Sequence, residues 1–185
     1  MTQEIDSNII SKCGKLLAAQ GLKIAFVESA TAGRISSEFA LTENSGEFLL
    51  GGLVCYNACI KEELLKVEAA MLKKFTPESA EVTELITIGL AKLFTADIYI
   101  GCTGLTAPGG SETEEKPVGT FFFHAIYRKD TLFRDRVIFD GTPAQMVKKA
   151  TVMVAELLLE TLINYKHEEK SSSEDSLSSN FSTRI

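Results

Sequence analysis

Short apolar runs alternate with segments of helical spacing along this chain, and that alternation constrains its fold more than any other feature. Residues 23–27 (KIAFV), 49–56 and 98–102 are brief and apolar enough for buried strands. Before the first of them, Ile5, Ile9, Ile10, Leu16 and Leu17 recur at helical intervals, and Gly21 ends that helix. Helical spacing returns over residues 34–41 and again over 79–94, just after Pro77, where a helix can begin. Residues 119–127 and 132–139 are β-rich and separated by Arg128, Lys129 and Asp130, which predicts a hairpin. Pro143 opens a last long helix reaching about Tyr165. Alternating strands and helices followed by a hairpin predict an α/β fold, a layered domain with a mixed sheet.

Composition sets the boundaries. The 185 residues are 45% hydrophobic, enough for one core without disulfide or metal staples. Residues 1–165 carry that apolar material. Residues 166–185 hold seven serines and three hydrophobic residues, too little apolar surface to offset ordering entropy, so they read as a disordered tail. The balance of 19 basic against 25 acidic residues argues against a nucleic-acid partner or an anionic membrane. It leaves room for a small anion in a local pocket. The N-terminus has no apolar signal-type region, and no apolar run approaches the ~20 residues that span a bilayer. Cys13, Cys55, Cys59 and Cys102 are scattered, with no zinc-type spacing to His124 or His167. Buried free thiols in a cytoplasmic protein are the expectation.

Three polar segments stand at strand ends, where α/β proteins place ligands. The first is Glu28-Ser29-Ala30-Thr31-Ala32-Gly33, whose small residues and following helix N-terminus suit an anion, with Ser29 and Thr31 as hydroxyl donors. These residues equally suit an ordinary helix cap. The second runs from Asn44-Ser45-Gly46 through a strand to Tyr56 and Lys61. A lysine there could anchor a phosphate or act as a base; a surface lysine opening a helix over 61–66 is the simpler reading. The third runs from Thr103 and Gly104 to Gly109 and Gly110, then Lys116 to Thr120. Its glycines permit successive free amides that could form an anion nest or an oxyanion hole.

These same segments carry a resemblance. VESATAG resembles the ESCTGG segment of the CinA C-terminal domain family, and GGLVCYNACIK resembles its G-G-x-V-x-Y-x-N-x-x-K stretch. CTGLTAPGG followed by EEKPVGT resembles its T-G-I-A-G-P-G-G … K-P-V-G-T signature. Order and spacing match over residues 5–165. The resemblance implies a three-layer α/β/α fold and a protein that self-associates as a homo-oligomer. It also implies a nicotinamide-nucleotide amidase, which hydrolyses the carboxamide of nicotinamide mononucleotide to nicotinate mononucleotide and ammonia with no metal or organic cofactor.

Carried over residue by residue, the resemblance implies a Ser–Lys–Tyr arrangement with Lys61 and Tyr56 as two members. It sets the serine in a G-S-S segment ten residues before the tyrosine, where this chain has Gly46, with Ser45 one place earlier. Ser45 is then the substitute nucleophile, and Ser29, Thr31, Gly33, Thr103, Gly104, Gly109 and Gly110 line the nucleotide substrate. An arginine expected near the start of the last helix is replaced in Gly141-Thr142-Pro143. Three functions follow as expectations: the amidohydrolase, a binding module of the same family without hydrolysis, and different hydrolytic or phosphate chemistry centred on Ser29 or Thr31.

Overall fold

The computed structural model describes the backbone of residues 7–181 and the side-chain surroundings of residues 8–164. Among the described residues five strands form one sheet: β1 (Ile24–Glu28), β2 (Leu49–Val54), β3 (Ile98–Gly104), β4 (Thr120–Tyr127) and β5 (Asp130–Ile138). Their order is β2-β1-β3-β4-β5. β1 pairs in parallel with both β2 and β3, whereas β4 runs antiparallel to β3 and to β5. The sheet is therefore mixed, and the hairpin expected around residues 128–130 joins β4 to β5.

Among the described residues six α-helices cover its two faces. They are α1 (Ser7–Ala19), α2 (Arg34–Ala40), α3 (Ala58–Glu63), α4 (Ala69–Phe75), α5 (Ala80–Leu90) and α6 (Pro143–Phe181). Strand alternation sorts the core into two layers, because successive side chains point to opposite faces. Ile24 and Phe26 of β1 pack with Leu17 of α1, Phe39 of α2 and Leu158 of α6. Ala25 and Val27, one residue out of phase, pack with Leu72 of α4 and Ile86 of α5. Helices α1, α2 and α6 thus lie on one side and α3, α4 and α5 on the other. That is the three-layer α/β/α arrangement.

Some boundaries differ from those the spacing suggests. The helix expected over 79–94 is α5, with Ser79 as its cap: the Ser79 hydroxyl accepts the Val82 amide at 3.2 Å. α4 escapes the sequence reading because its seven residues show too little period to register. The last helix continues to Phe181, past the end expected near Tyr165. The side chains of the Ser-rich stretch 166–185, and its last four residues entirely, lie outside the described residues. Among the described residues no helix is long and apolar enough to cross a membrane.

Candidate functional site

The site forms at the C-terminal ends of the three parallel strands. β1 ends at Glu28, and the chain turns at Ser29 to enter α2. The Glu28 carboxylate reaches forward over that turn. It accepts hydrogen bonds from the amides of Gly33 (3.0 Å), Ile35 (3.0 Å) and Ser36 (2.8 Å), and from the Ser36 hydroxyl (2.6 Å). A buried carboxylate is tolerated here because four donors replace the water it loses. The helix N-terminus expected to receive a ligand anion is already occupied by the protein's own acid. Gly33 shapes this turn, with φ of +93°, and contributes its amide to Glu28.

Lys61 approaches from the other side. Asn57 caps α3, its side-chain oxygen accepting the Cys59 amide at 3.0 Å. The six-residue helix then buries one side chain, Lys61, which is 0% exposed. Its Nζ donates to the Ser29 hydroxyl at 3.1 Å and to the Cys55 carbonyl at 3.1 Å. The simpler surface-lysine reading is thereby overturned: an amine starting an exposed helix would have no reason to be fully enclosed. Ser29 is 4% exposed, so the Ser29–Lys61 pair sits in a nearly dry setting.

Ser45 does not join them. It lies in a single 3₁₀ turn, Ser45–Glu47, ahead of β2, and its hydroxyl donates to the Ala40 carbonyl at 2.9 Å. Lys61 follows the far end of β2. The six residues of that strand span roughly 20 Å at about 3.3 Å each. Ser45 and Gly46 are therefore at the opposite end of β2 from the amine, and a hydroxyl at position 46 would be no nearer. Tyr56, 68% exposed, directly follows Cys55, whose carbonyl accepts from Lys61.

The remaining candidates divide between packing and loop. Thr103 is fully buried, and its hydroxyl bonds the Thr83 hydroxyl of α5 at 2.8 Å. Gly104 is needed for close packing: a Cβ there would meet the Phe121 ring at 2.6 Å. The Gly109 and Gly110 amides do converge as an anion nest, yet they hold the two carboxylate oxygens of Glu112, at 2.7 and 2.8 Å. The Gly109 amide is the main reason the Glu112 carboxyl titrates below the ordinary range. Thr31 is 2% exposed, with its hydroxyl beside the Cys102 thiol.

The thiols around the pair are poor nucleophiles. Burial pushes Cys55 up to about 11, against the opposing pull of the Lys61 charge. Burial, with the Glu28 charge second, raises Cys102 further. Cys13, Cys55 and Cys102 are buried as expected, whereas Cys59 stands exposed on the outer side of α3. Sequence reasoning missed the role of Glu28, although an acid at a strand end just before a helix start was the available signal. It also centred on Ser45, whereas the serine beside Lys61 is Ser29, read from the sequence only as a ligand contact or as the focus of a different chemistry.

Comparisons with known proteins agree with this architecture. The CinA C-terminal domain model matches residues 6–162. A CinA-like protein of Thermotoga maritima is 33% identical over 151 residues, covering 82% of this chain and 35% of that protein. One from Prochlorococcus marinus is 38% identical over 104 residues, covering 56% of this chain and 24% of its own length. The chain thus spans about a third or less of these relatives. Among solved structures, a CinA superfamily protein of Klebsiella pneumoniae superposes with a TM-score of 0.81 at 25% identity, covering 88% of this chain and 99% of that one. An Enterobacter asburiae competence or damage-inducible protein gives 0.80 at 27% identity, covering 86% and 99%. The sheet order, the helical layers and the matched residues together establish that the chain belongs to the CinA C-terminal domain family.

Proposed function

We propose that the domain is an amidohydrolase acting on the carboxamide of nicotinamide mononucleotide, with Ser29 as nucleophile and Lys61 as its base. The observation carrying this reading is the 3.1 Å contact between Lys61 Nζ and Ser29 Oγ, enclosed at the strand ends. In its neutral form the lysine has a lone pair to take the serine proton, which makes the hydroxyl an effective attacking group. The Cys55 carbonyl fixes the amine in place through the second bond. Attack gives an acyl-serine and ammonia, and water then releases the carboxylate. Tyr56 is exposed and directly follows Cys55, so its ring is available to a substrate ring. The chemistry needs no metal or organic cofactor, and the acidic surface is compatible with a nucleotide bound by local donors.

The test is direct. Incubated with nicotinamide mononucleotide, the protein is expected to release ammonia and nicotinate mononucleotide in equal amounts, with turnover lowered at least about 100-fold in Lys61→Ala. No release above a heat-inactivated control contradicts the reading. A second reading, a binding module without hydrolysis, draws on Pro143, which replaces an expected arginine with a side chain that has no charge and no backbone donor. It predicts thermal stabilisation by the nucleotide with no ammonia.

A further inference from the structure

The backbone donors of the turn around Ser29 are nearly all accounted for, and the exceptions are informative. Eight amides run from Ser29 to Ser36. Ser29 donates to Cys102 O at 2.9 Å, Ala32 to Ser29 O at 3.1 Å and Arg34 to Thr31 O at 2.9 Å. Ser37, just beyond, begins the helical ladder by donating to Gly33 O at 2.9 Å. Gly33, Ile35 and Ser36 donate to Glu28. The amides of Ala30 and Thr31 alone make no hydrogen bond among the described residues. Thr31 is buried and Ala30 half-buried, and an enclosed amide without an acceptor loses the water it would otherwise bond. Such donors are rare unless water or a ligand completes them.

Their position gives them a use. They directly follow the Ser29 hydroxyl at a sharp strand–turn–helix corner, which Ala32 closes in the left-handed region at φ +48°. A nucleophile at such a corner commonly has the next residue's amide as an oxyanion donor. The rival donors in the fold are already occupied: the α2 N-terminus by Glu28 and the Gly109–Gly110 nest by Glu112.

We infer that the Ala30 and Thr31 N–H groups form the oxyanion hole of this site, receiving the carbonyl oxygen of the carboxamide. The inference rests on Ser29 being the nucleophile. As Ser29 Oγ bonds to the carboxamide carbon, its proton passes to Lys61, which can take it only in the unprotonated form, and the C=O π pair moves onto oxygen. That oxygen becomes the anion the two amides hold. Collapse re-forms C=O and breaks the C–N bond, and the Lys61 proton leaves with the nitrogen as ammonia. Glu28 keeps the hole open: by binding the amides of residues 33, 35 and 36 it sets the turn in shape before substrate arrives, so no reorganisation is needed during attack.

Each donor can be removed without touching a side chain. Incorporating lactic acid at position 30, or the α-hydroxy analogue of threonine at position 31, replaces the amide by an ester. Neither N–H has a protein partner, so folding is expected to survive, as far-UV circular dichroism would show. Each ester should lower kcat for nicotinamide mononucleotide about 100-fold with KM nearly unchanged. Pyridine-3-boronic acid supplies a readout without turnover, because its boron becomes tetrahedral on bonding Ser29. Its bound ¹¹B signal should vanish in Ser29→Ala and its affinity should fall about 10-fold or more in each ester. If both esters keep the parent's kcat and boronate affinity while Ser29→Ala loses both, the oxyanion assignment fails and the nucleophile stands. If the parent forms no tetrahedral adduct, or Ser29→Ala keeps turnover, the nucleophile assignment fails and takes this one with it.

Discussion

Ser29 is set in place from three parts of the chain: Glu28 before it, Lys61 on α3 and Cys102 on β3. Each does a different job. Lys61 contacts the hydroxyl, Cys102 anchors the Ser29 amide, and Glu28 shapes the turn. Glu28→Ala would strip the acceptor from three amides and a hydroxyl at once, so a loss of roughly 2–4 kcal/mol in chemical denaturation is expected. A loss under ~0.5 kcal/mol would show that the turn holds without it. His124 offers a second test at this scale. It lies 2% exposed on the α5 side of β4, with both ring nitrogens unpaired among the described residues and Glu84 of α5 and Arg134 of β5 as the charges nearest it. Burial is the main cause of its lowered pKa. The unfolded chain, titrating near 6.5, therefore binds a proton more readily than the native one. Stability should be full above about pH 6.5 and decline as pH falls below it. Comparing denaturation midpoints at pH 7.5 and pH 5 checks this, and His124→Leu should lose part of that acid sensitivity. An unchanged acid response in the variant would contradict it.

Among the elements, the strands were the most legible. KIAFV, the apolar stretch after Phe48 and the two β-rich runs around Arg128 gave their positions through period and turn residues, since a strand's pattern is local. Lys61 was not legible in the same way. Its burial comes from α3 packing against β1's end, and no local pattern distinguishes a lysine facing a sheet from one facing water. Ser45 misled for a related reason: sequence proximity to Tyr56 hides the strand that separates it from Lys61. Gly104 illustrates a glycine whose reason is an element-to-element contact. Gly104→Ala drives a Cβ into Phe121 of the neighbouring strand, and overpacking of this kind costs about 1–3 kcal/mol. A stability unchanged within ~0.5 kcal/mol would mean the ring has room to move.

At the scale of the molecule, both core layers share a single sheet. Phe26 faces one and Val27 the other, so neither layer survives loss of the strands between them. Unfolding should therefore be one transition, coincident by near- and far-ultraviolet circular dichroism. Separate midpoints would contradict that. With a net charge of −6, the chain would have to take a nucleotide through the local donors that Glu28 and Glu112 leave free, not through the surface at large. Nicotinamide mononucleotide at 100 times its Kd should raise stability by about 2.7 kcal/mol if it binds the native state alone.

The account stands or falls on which serine attacks. Ammonia release from nicotinamide mononucleotide, measured side by side in Ser29→Ala and Ser45→Ala, decides it. Ser29→Ala should lose turnover, and Ser45→Ala should keep at least half of the parent rate, because its hydroxyl lies beyond β2 from Lys61. Turnover retained in Ser29→Ala and lost in Ser45→Ala would contradict the assignment.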